Sequence, residues 1–199
     1  EQGLYKGLKV LKFFPAEASG GLKLLKSMSA PYNDIKFVPT GGIKSENMHD
    51  YLSFSKVLAI GGSWMVKPEL ISGERFDEIT RITREAVATM HGFNLKHIGI
   101  NSGDASSAAD AAGFFSTFFQ GEMSESEKSV MVGGAVELMK SAGRGAHGHI
   151  AIGTANITRA VAYLERKGFS LDHENAVKAD GKVKAVFLKD EIAGFAVHL

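Results

Sequence analysis

The 199-residue sequence contains no cysteine. That absence excludes a disulfide framework, a thiolate nucleophile and any thiolate-ligated zinc or iron–sulfur cluster, so a metal here must be held by histidine, carboxylate or water. An excess of either charge is missing too. With 23 basic residues against 22 acidic ones, there is no global electrostatic reason to bind nucleic acid or an anionic membrane, and any anion site must be local. Long hydrophobic runs are absent, because Gly, Lys or Ser interrupts each apolar stretch well short of membrane-spanning length. The opening Glu1-Gln2-Gly3 is no signal peptide. The expectation is a soluble, cytoplasmic protein with neither nucleic-acid nor membrane partners, and the missing initiator Met makes the chain read as cut from something longer.

A hydrophobic content of 44% is ordinary for a folded domain. Residues 10–14, 35–39 and 57–60 are short, nearly continuous apolar segments, which predicts strands buried on both faces of a parallel sheet. Each is followed by glycines and then by a stretch of helical spacing, at 21–28, 45–53 and 76–90. Ser45 is the expected N-cap of the second helix. Strand, glycine turn and helix repeated three times is the rhythm of a parallel α/β fold, although a closed barrel needs about eight such units.

The rhythm breaks after Met90. Residues 91–94 (HGFN) form a polar junction and 95–101 (LKHIGIN) alternate as a half-buried strand does, so the sequence divides into domains at 1–90 and 91–199. A helix is predicted at 105–119 and a strand at 130–139, interrupted by Gly133-Gly134. The scheme then restarts: HIAIG at 149–153 echoes HIGI at 97–100, and 157–167 is an amphipathic helix with Ile157, Val161 and Leu164 on one face. Strands are expected at 183–188 and 194–199, with 178–184 a solvated hairpin. The second domain reads as an internal duplication of a strand–helix–strands unit.

In the first domain, Lys12 stands inside Val10-Leu11-Lys12-Phe13-Phe14-Pro15. A strand buried on both faces would exclude a charge, and a neutral, desolvated amine is what attacks a carbonyl to form a Schiff base. The other reading is an edge-strand lysine pointing at solvent. Thr40-Gly41-Gly42 and Gly61-Gly62-Ser63 each follow an apolar segment, and exposed N–H groups on such turns can bind phosphate oxygens. Glycine pairs also serve simply as tight turns. Trp64 and the Phe pairs at 13–14, 114–115 and 118–119 are expected in the core.

The runs LKFFPAE at 11–17, FVPTGGI at 37–43 and IGGSW at 60–64 resemble the 2-keto-3-deoxy-6-phosphogluconate (KDPG) and 4-hydroxy-2-oxoglutarate (KHG) aldolases. The resemblance covers about residues 1–90. It implies the last three βα units of a (β/α)8 TIM barrel, a class I aldolase without cofactor, and a phosphorylated 2-keto acid and pyruvate as small-molecule partners. The reaction implied is cleavage of 2-dehydro-3-deoxy-6-phosphogluconate to pyruvate and glyceraldehyde 3-phosphate. Lys12 would form the Schiff base, Gly41, Gly42, Gly61, Gly62 and Ser63 would hold the phosphate, and Pro39 and Thr40 would line the site. The family's acid/base glutamate belongs to an earlier strand, so the site in this fragment is expected to be incomplete. Glu17 is not assigned that role.

In the second domain, His97 and His149 occupy equivalent positions in the two repeats, with Glu137 near the end of the first and His198 near the end of the second. This symmetry would direct the four toward a shared cleft, and three imidazoles with one carboxylate suit Zn, Ni, Fe or Mn. His147 competes with His149 for the position. HIGI and the run GHIAIGTANITRAVAYLERKGF at 148–169 resemble the vicinal-oxygen-chelate, or glyoxalase-like, superfamily. That resemblance implies a paired βαβββ domain with metal ligands at these positions, the final ligand being glutamate where this sequence has His198. A metal-dependent glyoxalase-like or dioxygenase-like enzyme and a non-catalytic ligand-binding or oligomerisation module both remain open. A homo-oligomer is expected.

Overall fold

The computed structural model describes residues 1–199. The chain divides into two units, Glu1–Met90 and His91–Leu199. In the first, β1 (Val10–Phe13) runs parallel to β2 (Lys36–Pro39), with Leu11 opposite Phe37, Lys12 opposite Val38 and Phe13 opposite Pro39. Side chains alternate across a strand, so Leu11, Phe13, Phe37 and Pro39 share one face and Val10, Lys12, Lys36 and Val38 the other. The first face is packed. Phe13 and Phe37 join a buried cluster with Leu25, Ile35, Ile43, Met48 and Tyr51, supplied largely by α2 (Gly21–Ser29) and α3 (Met48–Leu52).

The second face is open: Val10 is 44% exposed and Lys12 is exposed. The expectation of strands buried on both faces therefore fails at β1, an edge strand of a two-stranded sheet. A run of apolar residues reports hydrophobicity; whether a second layer covers the far face depends on elements elsewhere. The expected third strand at 57–60 is also reduced, meeting β2 only through isolated parallel bridges, Phe37 with Val57 and Thr40 with Gly61. The remaining helices are α1 (Gln2–Tyr5), α4 (Pro68–Ser72) and α5 (Phe76–His91). The predicted N-cap moves from Ser45 to Asn47, whose Oδ1 accepts a hydrogen bond from the Lys44 N–H at 2.9 Å.

The second unit begins with β3 (Asn94–Asn101), α6 (Ala105–Phe119), β4 (Met123–Glu125), β5 (Ser129–Val132) and β6 (Val136–Met139). The single interrupted strand expected at 130–139 is instead a hairpin, with Val132 opposite Val136. Gly133 and Gly134 have φ of +56° and +65°, the pair of left-handed residues that a type I′ turn requires. The chain continues through β7 (Gly148–Gly153), α7 (Ile157–Arg166), an exposed hairpin of β8 (Val177–Ala179) and β9 (Lys182–Ala185), and β10 (Phe195–His198).

The main sheet has the order β10-β7-β3-β6-β5-β4. In each repeat the first strand runs parallel to the last, β3 with β6 and β7 with β10, while β3 and β7 lie antiparallel at the centre. Backbone bonds from Val186 and Leu188 to β10, and a bridge between Leu171 and Leu188, extend the second repeat outward. The result is a paired βαβββ arrangement about a two-fold axis between β3 and β7. The strand expected at 183–188 is split, its first half pairing with β8 and its second half with β10.

One sheet face of the first repeat packs Ile100, Val130, Val132, Val136 and Leu138 against Ala108, Ala112 and Phe115 of α6. The aromatic pairs were expected in the core, but Phe14, Phe114, Phe118 and Phe119 are all more than half exposed. In α6 the small Ala108 and Ala112 take the buried stripe together with Phe115, while Phe114 and Phe118 point away from it and Phe119 is the last residue of the helix.

His91 is 2% exposed, lies against the rings of Phe93 and Tyr163, and leaves both ring nitrogens without a hydrogen-bond partner. Burial first, then the nearby Arg166 and Arg159 charges, lowers its pKa below the ordinary 6.5. An unfolded histidine takes a proton near 6.5 while this one does not. Its contribution to stability is therefore complete above 6.5 and is lost as pH falls below it. Scanning calorimetry of the metal-free protein should show Tm falling between pH 7.5 and pH 5, and His91→Phe should flatten part of that fall.

Candidate functional sites

On the sheet face opposite the helices, the registers place His149 beside Gly99 and Ala196, Gly99 beside Glu137, and both His97 and His198 beside Ala151. Paired residues share a face, so His97, Glu137, His149 and His198 all project from the same side of the sheet. The structure brings the four together. His97 Nε2 lies 3.0 Å from His149 Nε2, and Glu137 Oε2 lies 3.4 Å from the first and 3.1 Å from the second. His198 joins them, one nitrogen from each imidazole falling within 4.8 Å of the others. His147 is elsewhere, against Phe195 and Gly194.

These separations fit a metal. Two ligands each about 2.1 Å from one ion stand roughly 3.0–3.4 Å apart, between right-angled and tetrahedral geometry. Supporting contacts orient the donors, as outer-shell partners do at metal sites. The Ser129 hydroxyl donates to Glu137 Oε1 at 2.6 Å, and His198 Nδ1 lies 3.3 Å from the Leu199 carbonyl oxygen, which leaves Nε2 free for the cluster. Burial is the first cause that lowers the pKa of His149, opposed by the Glu137 charge, and burial also leads at His198. Both imidazoles are thus kept neutral, the form that ligates.

Sequence reasoning missed Ser129 and Gly99. Ser129 carried no signal, but Gly99 stands in HIGI, where alternation aligns it with His97. A Cβ at Gly99 would lie 2.0 Å from Cε1 of His149, so only glycine leaves room for that ring. Gly99→Ala should displace His149 and weaken metal binding by about 10–100-fold, read by competition with a chromogenic chelator.

In the first unit, Lys12 Nζ makes no hydrogen bond or ion pair and lies 4.9 Å from the centroid of the Phe14 ring. The burial expected of it is absent, because no strand or helix covers its face of β1. Lys36, on the same face, is tied down by a 2.8 Å bond to the Ser55 carbonyl. The glycine turns lie at the carboxyl-terminal ends of the strands. Gly41 and Gly42 have φ of +95° and +79°, and the N–H groups of Gly41, Gly42, Gly62 and Ser63 are not used in the fold's backbone hydrogen bonds. The two turns adjoin: Thr40 bridges Gly61, and a Cβ on Gly61 would lie 2.9 Å from Thr40 Oγ1. Pro39 is buried beneath them, and Phe14 packs against Gly41. Glu17 is engaged elsewhere, accepting a hydrogen bond from the Tyr51 hydroxyl, whose pKa burial and then Glu17 push up.

Residues 1–82 match the family model for KDPG and KHG aldolase. The first unit is similar in sequence to that family. The KHG/KDPG aldolase of Escherichia coli K12 is 48% identical over 85 residues, 43% of this chain and 40% of that protein. This chain therefore spans about two fifths of the length of that curated aldolase relative. A Legionella pneumophila KDPG aldolase, solved with pyruvate captured as a covalent carbinolamine intermediate, is 41% identical, covering 43% of this chain and 41% of that one with a TM-score of 0.41. A methylmalonyl-CoA epimerase structure from Mycobacterium tuberculosis is 18% identical, covering 53% of this chain and 85% of that one with a TM-score of 0.39. No helix of the chain is long and apolar enough to cross a membrane.

Proposed function

We propose that this chain is part of a class I aldolase that cleaves 2-dehydro-3-deoxy-6-phosphogluconate to pyruvate and glyceraldehyde 3-phosphate. The observation that carries the reading is the 48% identity to a KHG/KDPG aldolase over 85 residues, together with the family match over residues 1–82, which spans the Lys12 motif and both glycine turns. In this reading Lys12 attacks the 2-keto carbon. The free N–H groups of Gly41, Gly42, Gly62 and Ser63 receive the phosphate, and Pro39, Thr40 and Gly61 shape the turns around it. No carboxylate stands within ion-pair reach of Lys12, so the unit supplies the nucleophile without a proton-transfer partner. Borohydride reduction in the presence of pyruvate tests the assignment: a covalent adduct on Lys12 supports it and its absence sinks it.

A second reading concerns the other unit and rests on a separate observation, the convergence of His97, Glu137, His149 and His198. We infer a divalent metal centre of Zn, Ni, Fe or Mn type, in which a bound ion would polarise a substrate oxygen or a water molecule. Elemental analysis after exhaustive dialysis tests it, with one ion per chain expected. We also infer self-association, supported by the exposed rings of Phe114 and Phe118 on α6. Light scattering should give a mass of at least twice 21.3 kDa, and Phe114→Ser with Phe118→Ser should return the protein to a monomer.

A further inference from the structure

The sheet has a second, unassigned space on its other side. The rings of His198 and Phe187 meet at a tilt of 46°, 4.7 Å between centroids, on the imidazole face. The residues alternating with them, Val186, Leu188 and Val197, turn to the opposite face, toward Leu164 of α7. Between these four lies a cavity of about 220 Å³. Its floor is sealed, Val186 being 1% exposed. Its mouth is open and rimmed by Phe93, Phe169 and Ile192, which are 38%, 45% and 51% exposed.

Protein interiors pack about as densely as organic crystals, so a space of this size beneath a helix is not the ordinary outcome of folding. Water gains little there. The only hydrogen-bonding side chain on the lining is His198, whose ring is turned to the imidazole cluster, and a buried water needs two to four polar partners. An apolar cavity of about 150 Å³ stays dry and takes up benzene. Here the rim is also fixed in place. Ile192 and Phe195 exchange backbone hydrogen bonds of 2.9 and 3.0 Å around a tight turn, in which Ala193 adopts φ of +52°, a left-handed conformation unfavourable for alanine. That turn holds Ile192 at the mouth of the cavity.

We propose that this cavity binds a small apolar group, a monocyclic aromatic ring or a short branched aliphatic chain, with any polar end left outside the Phe93–Phe169–Ile192 rim. The cavity shares only His198 with the imidazole cluster and has no lining residue from the first unit. The test uses the full chain stripped of metal by EDTA, with toluene as the probe and methyl carbon-13 NMR as the readout. Saturable shifts are expected for Leu164, Val186, Leu188 and Val197, while Leu25, Leu52 and Val57 of the first unit stay fixed. Val186→Phe, which fills the floor, should weaken toluene binding at least tenfold. No saturable shift in the lining methyls of the unchanged chain up to the solubility limit of toluene would overturn the proposal. Equal shifts in both units, or water detected inside the cavity by nuclear Overhauser effects, would do the same whether or not the variant folds.

Discussion

A chain with His97 and His149 both replaced by alanine should retain no divalent metal after dialysis, where the unchanged protein should retain one ion per chain. The double replacement removes two of the four donors, including the pair whose nitrogens stand 3.0 Å apart. Tight four-ligand zinc sites yield about 10–16 kcal/mol, so losing half the donors should cost roughly 5 kcal/mol, several thousandfold in affinity. Stability separates a ligand role from a packing role. With EDTA present the two proteins should melt within a few degrees of each other, because the replaced His149 is a side chain buried against its preference for water. Added zinc should raise only the unchanged protein's Tm, by an amount that grows with the logarithm of metal concentration. Equal metal content in both proteins would remove the metal reading and leave the paired βαβββ unit as a binding or assembly module.

Lys12→Met should take no label from pyruvate and borohydride, with any aldolase turnover falling by about a thousandfold or more, as expected when a covalent nucleophile is deleted. Selectivity among amines follows from the structure. Lys36 shares the open face, but its ammonium is bonded to the Ser55 carbonyl at 2.8 Å, whereas Lys12 Nζ has no hydrogen-bond partner to break. The Lys36→Met chain should therefore label normally. Equal labelling of both lysines would indicate non-specific chemistry of exposed amines and would remove the special role of Lys12.

The convergence of His97, Glu137, His149 and His198 was legible in the sequence because it needs little tertiary information. Strand alternation sets the face, and the echo of HIGI in HIAIG sets the pairing of repeats. Their supports were illegible for a physical reason: Ser129 reaches Glu137 only through the β5–β6 hairpin, and that hairpin lies inside what reads as one strand. Gly133-Gly134 carried the turn signal, but as an interruption it does not say that the chain reverses. Lys12 shows the opposite limit. Its neighbours Leu11 and Phe13 are buried as their hydrophobicity demands, yet the exposure of Lys12 depends on the layer over Val10 and Val38, which no local pattern encodes. Phe114 and Phe118 of α6 misled for a similar reason, since the stripe that packs is set by the space beneath it, and that space takes Ala108, Ala112 and Phe115.

The antiparallel pair β3 and β7 has a consequence for how this unit could be taken apart. Every strand of the first repeat is complete by Met139 and the second starts at Gly148, so the covalent link between repeats is a single loop. Each repeat carries two donors, His97 with Glu137 and His149 with His198, and neither pair alone makes a four-ligand site. A protein nicked within residues 140–147 would thus behave as a split reporter. Its two fragments would be held by the β3–β7 ladder and clasped by the ion, and their dissociation on chelation would read out metal occupancy directly.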